Sequence, residues 1–241
     1  MDFEKAFTYL KDDERWMTKL GIGAAVQFLS FLIVPIFLLP GYMVQIVRNV
    51  HDGVEPALPE WDDWGRLLTD GLTIVGAQLV YTLPFWLLVC ISMIATGGAG
   101  ALMDGAGGNA SDAAALGIVS VWGIVGCLSI LFVIAWIFLA PAITIQYVRE
   151  GDFASCFRVG EVIAIIRDNI SDILMITLAF IAAQFVITFI VGFLNIIPCI
   201  GTIVGVVISI ALYPYLMMAR GHLYGQLLAK MDGGKKDVMF G

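Results

Sequence analysis

The chain has 241 residues, of which 60% are hydrophobic and only 14% charged, with a formal charge of -7 at neutral pH and a mean hydropathy of +0.92. Soluble domains carry about 25% charged residues, and apolar runs of ~20 residues mark membrane spans. This composition excludes a soluble globular fold, and the lack of a basic stripe excludes nucleic acid as a partner.

The amino-terminal stretch, Met1 to Lys19, mixes Asp2, Glu4, Asp12, Asp13 and Glu14 with its basic residues. A cleavable signal begins with a basic region that lacks such acids, so this stretch is expected to belong to the mature protein. Five apolar blocks follow: Leu20 to Val50, Gly71 to Ala95, Leu116 to Val148, Ser171 to Phe193 and Thr202 to Ala229. Apart from Asp172 at the start of the fourth, none contains Asp, Glu or Lys, and their only arginines, Arg48 and Arg220, sit near block ends from which a long side chain reaches the headgroups. The second to fifth blocks are expected to cross a ~30 Å hydrocarbon layer as helices. Pro35 and Pro40 interrupt the first block, since each proline removes a helical hydrogen bond and adds a clash. Two readings of that block stay open: a re-entrant hairpin with arms Leu20 to Val34 and Ile36 to Val50, or a fifth span.

Lys and Arg cluster in the amino-terminal segment, the first and third connections and the tail, whereas the connections Thr96 to Ala115 and Leu194 to Gly201 have none. The bias of basic residues toward the cytoplasmic side puts the first connection, the third connection and the carboxyl-terminal tail on the cytoplasmic face of the cell membrane, and the two connections without them outside. Under this rule the hairpin brings the amino terminus inside as well.

An internal repeat runs through the chain. Ile36-Phe37-Leu38-Leu39-Pro40 returns as Ile137-Phe138-Leu139-Ala140-Pro141, with Gln45 matching Gln146 and Arg48 matching Arg149; further on, Ala77-Gln78 matches Ala183-Gln184. Both copies read in the same direction, as in parallel repeats of transporters. The chain is thus expected to be one membrane domain over 1–241, with repeat A about 20–95, repeat B about 116–193 and a last helix about 202–229. The fold class is all-α: four transmembrane helices, a proline-broken first segment, a parallel two-helix repeat and two cytoplasmic amphipathic helices.

The first amphipathic helix is read from the connection after the first block, where Trp61, Trp64, Leu67 and Leu68 share a helical face opposite Asp62, Asp63, Arg66 and Asp70. Tryptophans in that setting sit at headgroup level. Asp62 and Asp63 fit no EF-hand spacing and are expected to be solvated or paired with Arg48 or Arg149. The second is read from Phe153, Phe157, Val159 and Ile163, alternating with Arg158, Glu161 and Asp168. Gln78 and Gln184 are expected to be the most buried polar groups of the chain, at equivalent depths by the repeat, and to join helices or line a polar pathway. Gly201, Gly205 and Ser209 make a smooth face for close helix packing, inside the monomer or against another membrane protein. Gly97 to Ala115 is expected to be a flexible outer loop carrying the glycosylation triplet Asn109-Ala110-Ser111.

Cys90, Cys127, Cys156 and Cys199 show no metal-ligand spacing and only His51 and His222 accompany them, so no metal or other cofactor is expected. No catalytic motif is present either. Gly41-Tyr42, the stretch Leu58-Pro59-Glu60-Trp61-Asp62-Asp63-Trp64-Gly65, and Asp70-Gly71-Leu72 resemble the domain of unknown function 4013 family, small polytopic membrane proteins of archaea and bacteria. The resemblance implies a helical membrane protein without an established activity; the second half departs from it, since Ala142-Ile143 stands where Gly41-Tyr42 would be. The expected role is a non-enzymatic subunit that organises a membrane assembly or binds lipid, with the bilayer as its first partner. The alternative is a transporter or channel for a small neutral solute.

Overall fold

A computed structural model describes residues 1–103, 109–197 and 200–239, with side chains described for 1–97, 115–197 and 200–233. Among the described residues all regular structure is helical: α1 (Phe3–Thr8), α2 (Trp16–Phe28), α3 (Pro35–His51), α4 (Trp64–Met103), α5 (Asn109–Glu150), α6 (Val159–Asp168), α7 (Ile170–Leu194) and α8 (Ile200–Met239), with short 3-10 turns at Tyr9–Asp12, Leu29–Leu32 and Phe153–Phe157. Four stretches are long and apolar enough to cross a membrane: Trp64–Gly97, Ala115–Glu150, Ile170–Leu194 and Ile200–Gly233. They coincide with the last four apolar blocks. The first block instead divides into α2 and α3, too short for comfortable crossings.

The division of the first block differs from the proline reading in one respect. The chain turns at Ile33, a β-branched residue held at φ 68°, and Pro35 occupies the start of α3, where its missing N–H costs nothing. Pro40, by contrast, lies within α3 and does not end it. Packing overrides the local penalty: apart from Pro40, every residue from Leu38 to Val47 is buried.

The chain forms two compact units, Met1–Ala77 with Pro141–Gly241, and Gln78–Ala140. The division cuts through α4 and α5 rather than between the two copies of the repeat. In the first unit α3 is the central helix. Its Met43, Ile46 and Val50 press on Gly221 and Gly225 of α8, where a β-carbon would have no room. The amino-terminal segment packs along the carboxyl-terminal half of α8: Tyr9 Oη donates to the Met218 carbonyl (3.2 Å), Tyr215 Oη to that of Phe7 (2.8 Å), and the Asp2 amide to Gln226 Oε1 (2.7 Å). The small-residue face of α8 also packs within the chain, with Gly201 against the Leu194 backbone and Gly205 against Val191. In the second unit Phe85 stacks on Phe132 at 4.5 Å between ring centroids.

Three further expectations change. The tryptophan segment is not a separate surface helix, because Trp61 lies outside any helix and α4 runs unbroken from Trp64. In the third connection a 3-10 turn and a bend at Arg158 interrupt the periodicity, so Val162 and Ile165 are the buried residues while Phe153, Val159 and Ile163 are exposed. Helix extends into the expected outer loop, since α4 continues to Met103 and α5 begins at Asn109. The segment is rich in alanine, the best helix former. The side chains of the Asn109-Ala110-Ser111 triplet, and Cys199, lie outside the described residues.

Candidate functional site

Two glycines bring the site together. A β-carbon on Gly41 would overlap the Leu67 carbonyl, and one on Gly71 would overlap the Phe37 carbonyl. Helices α3 and α4 therefore cross in backbone contact, each glycine admitting the other helix. The crossing carries Asp70, one residue before Gly71, beneath the last turns of α3.

Asp70 is 4% exposed and accepts four hydrogen bonds. Arg48 grips it with both terminal nitrogens, Nη1 to Oδ2 at 2.5 Å and Nη2 to Oδ1 at 3.0 Å. Gln45 Nε2 donates to Oδ2 at 2.8 Å, and Tyr147 Oη from α5 donates to Oδ1 at 2.6 Å. The guanidinium also lies 5.5 Å from the Tyr147 ring centroid. Burial alone would lower the Arg48 pKa, but the bonds and charge of Asp70 outweigh it and raise it above the ordinary arginine value. A forked, fully bonded pair of this kind holds three helices in one arrangement, and removing one partner strands the other.

A second cluster straps the first connection to the bundle. Lys19, 3% exposed, points Nζ at Asp13 Oδ2 (2.5 Å), Glu60 Oε1 (2.8 Å) and the Leu58 carbonyl (2.9 Å). For Asp13, burial favours the neutral acid, yet the hydrogen bonds from Lys19 and the Arg15 amide prevail and lower its pKa. Trp61 stacks on Tyr42 at 4.2 Å and 10°, its Nε1 donating to the Lys19 carbonyl (3.1 Å), and Tyr42 Oη donates to the Pro59 carbonyl (2.8 Å).

The residues singled out from the sequence fare differently. Trp61 is a core residue at 8% exposure rather than a headgroup anchor, because its flat ring has Tyr42 to cover it; Trp64 is 45% exposed. Asp62 is exposed, and Asp63 Oδ1 accepts from the Arg66 amide (3.0 Å), capping α4. Neither meets Arg48, which Asp70 occupies, nor Arg149, whose Nε lies 3.9 Å from Asp232 Oδ1. Arg48 is thus held inside the protein instead of reaching for headgroups. Gln78 is half-buried, and Gln184 is exposed, with only a 3.5 Å contact to Thr188 one turn away. The buried glutamines are Gln45 and Gln146, the latter fully buried and bonded to Glu161 Oε2 at 2.5 Å, with its own Oε1 unpaired.

Sequence reasoning missed Asp70, Tyr147, Gln45, Lys19 and Asp13 as partners. The usable signal was Gln45 and Arg48, three residues apart on one face of an otherwise apolar helix. Among the described residues no group of three His, Cys, Asp or Glu could hold a metal ion. Cys156 is buried, and desolvation pushes its thiol up to about 11, so it is a poor nucleophile.

A family model described as a protein of unknown function (DUF4013) matches residues 28–196, well over half of the chain. The chain belongs to the DUF4013 family. The Asp70 network lies wholly within the DUF4013 region, as do Gly41, Tyr42, Trp61 and Gly71; Lys19 and Asp13 precede it, and all of α8 follows it. No curated protein and no solved structure matches the chain.

Proposed function

We propose that this DUF4013 protein is a non-enzymatic integral membrane subunit that organises a membrane assembly or binds lipid. The observation that supports this best is the bareness of its spans. In the most apolar window of each of the four long helices, only 6, 6, 17 and 17% of the residues are buried within the chain. Such flanks are made to meet lipid or the helices of another protein, whereas a solute pathway needs a lining. The transporter reading loses the support it took from paired glutamines, because Gln184 is exposed on α7.

The basic ends face the cytoplasm in this reading, and the first block re-enters. The amino-terminal segment shares a side with the carboxyl-terminal half of α8, which supports the hairpin over a fifth span. The exposed turn Phe28 to Ile36, with Phe31 at 71% and Ile33 at 67% exposure, is the part that dips into the inner leaflet. Exposed Trp64, Val159 and Ile163 then serve as surface contacts near the inner headgroups. The shared placement of Pro40 and Pro141 inside helices, and the burial of Gln45 and Gln146, favour common ancestry of the halves.

The test replaces Trp64 with Ala and Ile163 with Ser, sparing Trp61 because it is core. Retained phospholipids and co-purifying membrane proteins are then identified after extraction in mild detergent. The expected result is a loss of bound lipid or partner with membrane insertion intact; unchanged lipid and protein profiles would refute the reading. For topology, Asp62→Cys in a background without native cysteines should react with an impermeant maleimide only after cell lysis.

A further inference from the structure

The first unit contains a cavity of about 590 Å³, which neither the Asp70 network nor the lipid-facing flanks uses. That size suits a small organic molecule. Its floor is His222 of α8, 4% exposed, with its ring tilted against Tyr9 at 4.3 Å between centroids. Its walls are Asp2, Lys5 and Asp12 from the amino-terminal segment, Val50 at the end of α3, and Gly53 to Ala57 from the first connection.

The hydrogen bonds fix the chemistry of the floor. The Asp2 amide donates to Gln226 Oε1, which sets the orientation of that side-chain amide. Gln226 Nε2 therefore donates, to the Asp2 carbonyl at 3.1 Å and to His222 Nδ1 at 3.0 Å. A nitrogen that accepts a bond carries no proton, so the imidazole is neutral with its hydrogen on Nε2. Among the described residues that Nε2–H meets no acceptor. His222 lines the cavity, so this donor is open there to an acceptor from outside the chain.

The walls supply the complement. Asp12 makes no ion pair among the described residues, and Lys5 and Glu55 are only loosely joined, at 3.6 Å with side chains 52% and 84% exposed. Carboxylates thus exceed ammonium groups around the opening, while Lys5 and the His222 donor can each meet an anion. Val50, Val54 and Ala57 form an apolar side.

We propose that this cavity binds a small zwitterion, its anionic end on His222 Nε2–H and Lys5, its cationic end beside Asp2 and Asp12, and a short apolar body against Val50 and Val54. The same chemistry occurs in free amino acids and betaines and in the ethanolamine phosphate headgroup of a phospholipid. The site is independent of the assembly reading.

The chain has only two histidines, which makes the imidazole nitrogens direct reporters. The full chain, labelled with nitrogen-15 histidine in detergent micelles, is titrated with L-leucine, glycine betaine and O-phosphoethanolamine, with putrescine and succinate as single-charge controls; a His51→Gln sample assigns the signals. A zwitterion should move the His222 Nε2 resonance to saturation while His51 stays still. Response to O-phosphoethanolamine alone identifies a lipid headgroup, and response to leucine or betaine a free solute; each supports the proposal. The proposal fails if none of the three zwitterions moves His222, or if putrescine or succinate moves it equally. Val54→Trp fills the cavity from an exposed position, leaving the core untouched, and should weaken binding at least tenfold; unaltered affinity in that variant would also overturn the site.

Discussion

Helix α3 and the outer half of α5 are both strongly apolar, yet they end in opposite surroundings. From Leu38 to Val47 α3 is buried except at Pro40, whereas from Ala115 to Ala140 α5 buries only Val125. The difference lies in a few residues that hydropathy discounts. The buried helix carries Gly41 for close approach and Gln45 and Arg48 for directional bonds; that stretch of α5 has no ionisable group except Cys127. Apolar surface is indifferent between lipid and protein, so in a membrane protein the choice between them falls to small residues and to polar ones. In α3 burial goes with Gly41, Gln45 and Arg48 and not with apolar content alone.

The sharpest way to break the contrast is to remove the polar centre. Asp70→Ala leaves Arg48 charged, mostly buried and unpaired, and should cost about 3–5 kcal/mol in unfolding measured in mild detergent. Adding Arg48→Met should restore part of the loss. Gly41→Ala or Gly71→Ala forces a β-carbon into a backbone carbonyl and should cost about 1–3 kcal/mol or more, while Gly126→Ala in the outer half of α5, with open space around it, should cost almost nothing. The Asp13 cluster gives a pH signature. Its folded pKa is depressed, so its stabilisation is full above the unfolded value of about 3.9 and declines as pH falls through the lowered folded value. The melting-temperature gap between wild type and Asp13→Asn should therefore be constant from pH 7 to 5 and close below about pH 4. Smallest of all, Gln184→Leu should change stability by under about 0.5 kcal/mol, since its side chain is exposed and weakly bonded.

The four long helices were legible because the uncharged runs between Asp70 and Asp104, Asp112 and Arg149, and Asp172 and Arg220 leave few alternatives to a membrane. The Gly201 and Gly205 face was legible as a packing device, though its partner, α7, was not. The site was hidden for two reasons. Asp70 falls on the helical face opposite the tryptophans, which for a surface helix is the solvent side; its burial follows from the Gly41 and Gly71 crossing, a relation between two helices. Its bond to Tyr147 spans 77 positions, beyond the reach of any local pattern. Trp61 was misplaced because tryptophan at a membrane boundary is equally at home among headgroups or stacked on a tyrosine, and only the position of Tyr42 separates the cases.

The seating of α3 on Gly221 and Gly225 has a bearing on how the protein is made. A ribosome delivers α3 long before α8, so the bed into which Met43, Ile46 and Val50 settle does not exist until α8 has followed. Nascent chains halted after α7 would display that flank bare, and the insertion machinery or a chaperone must shelter it in the interval.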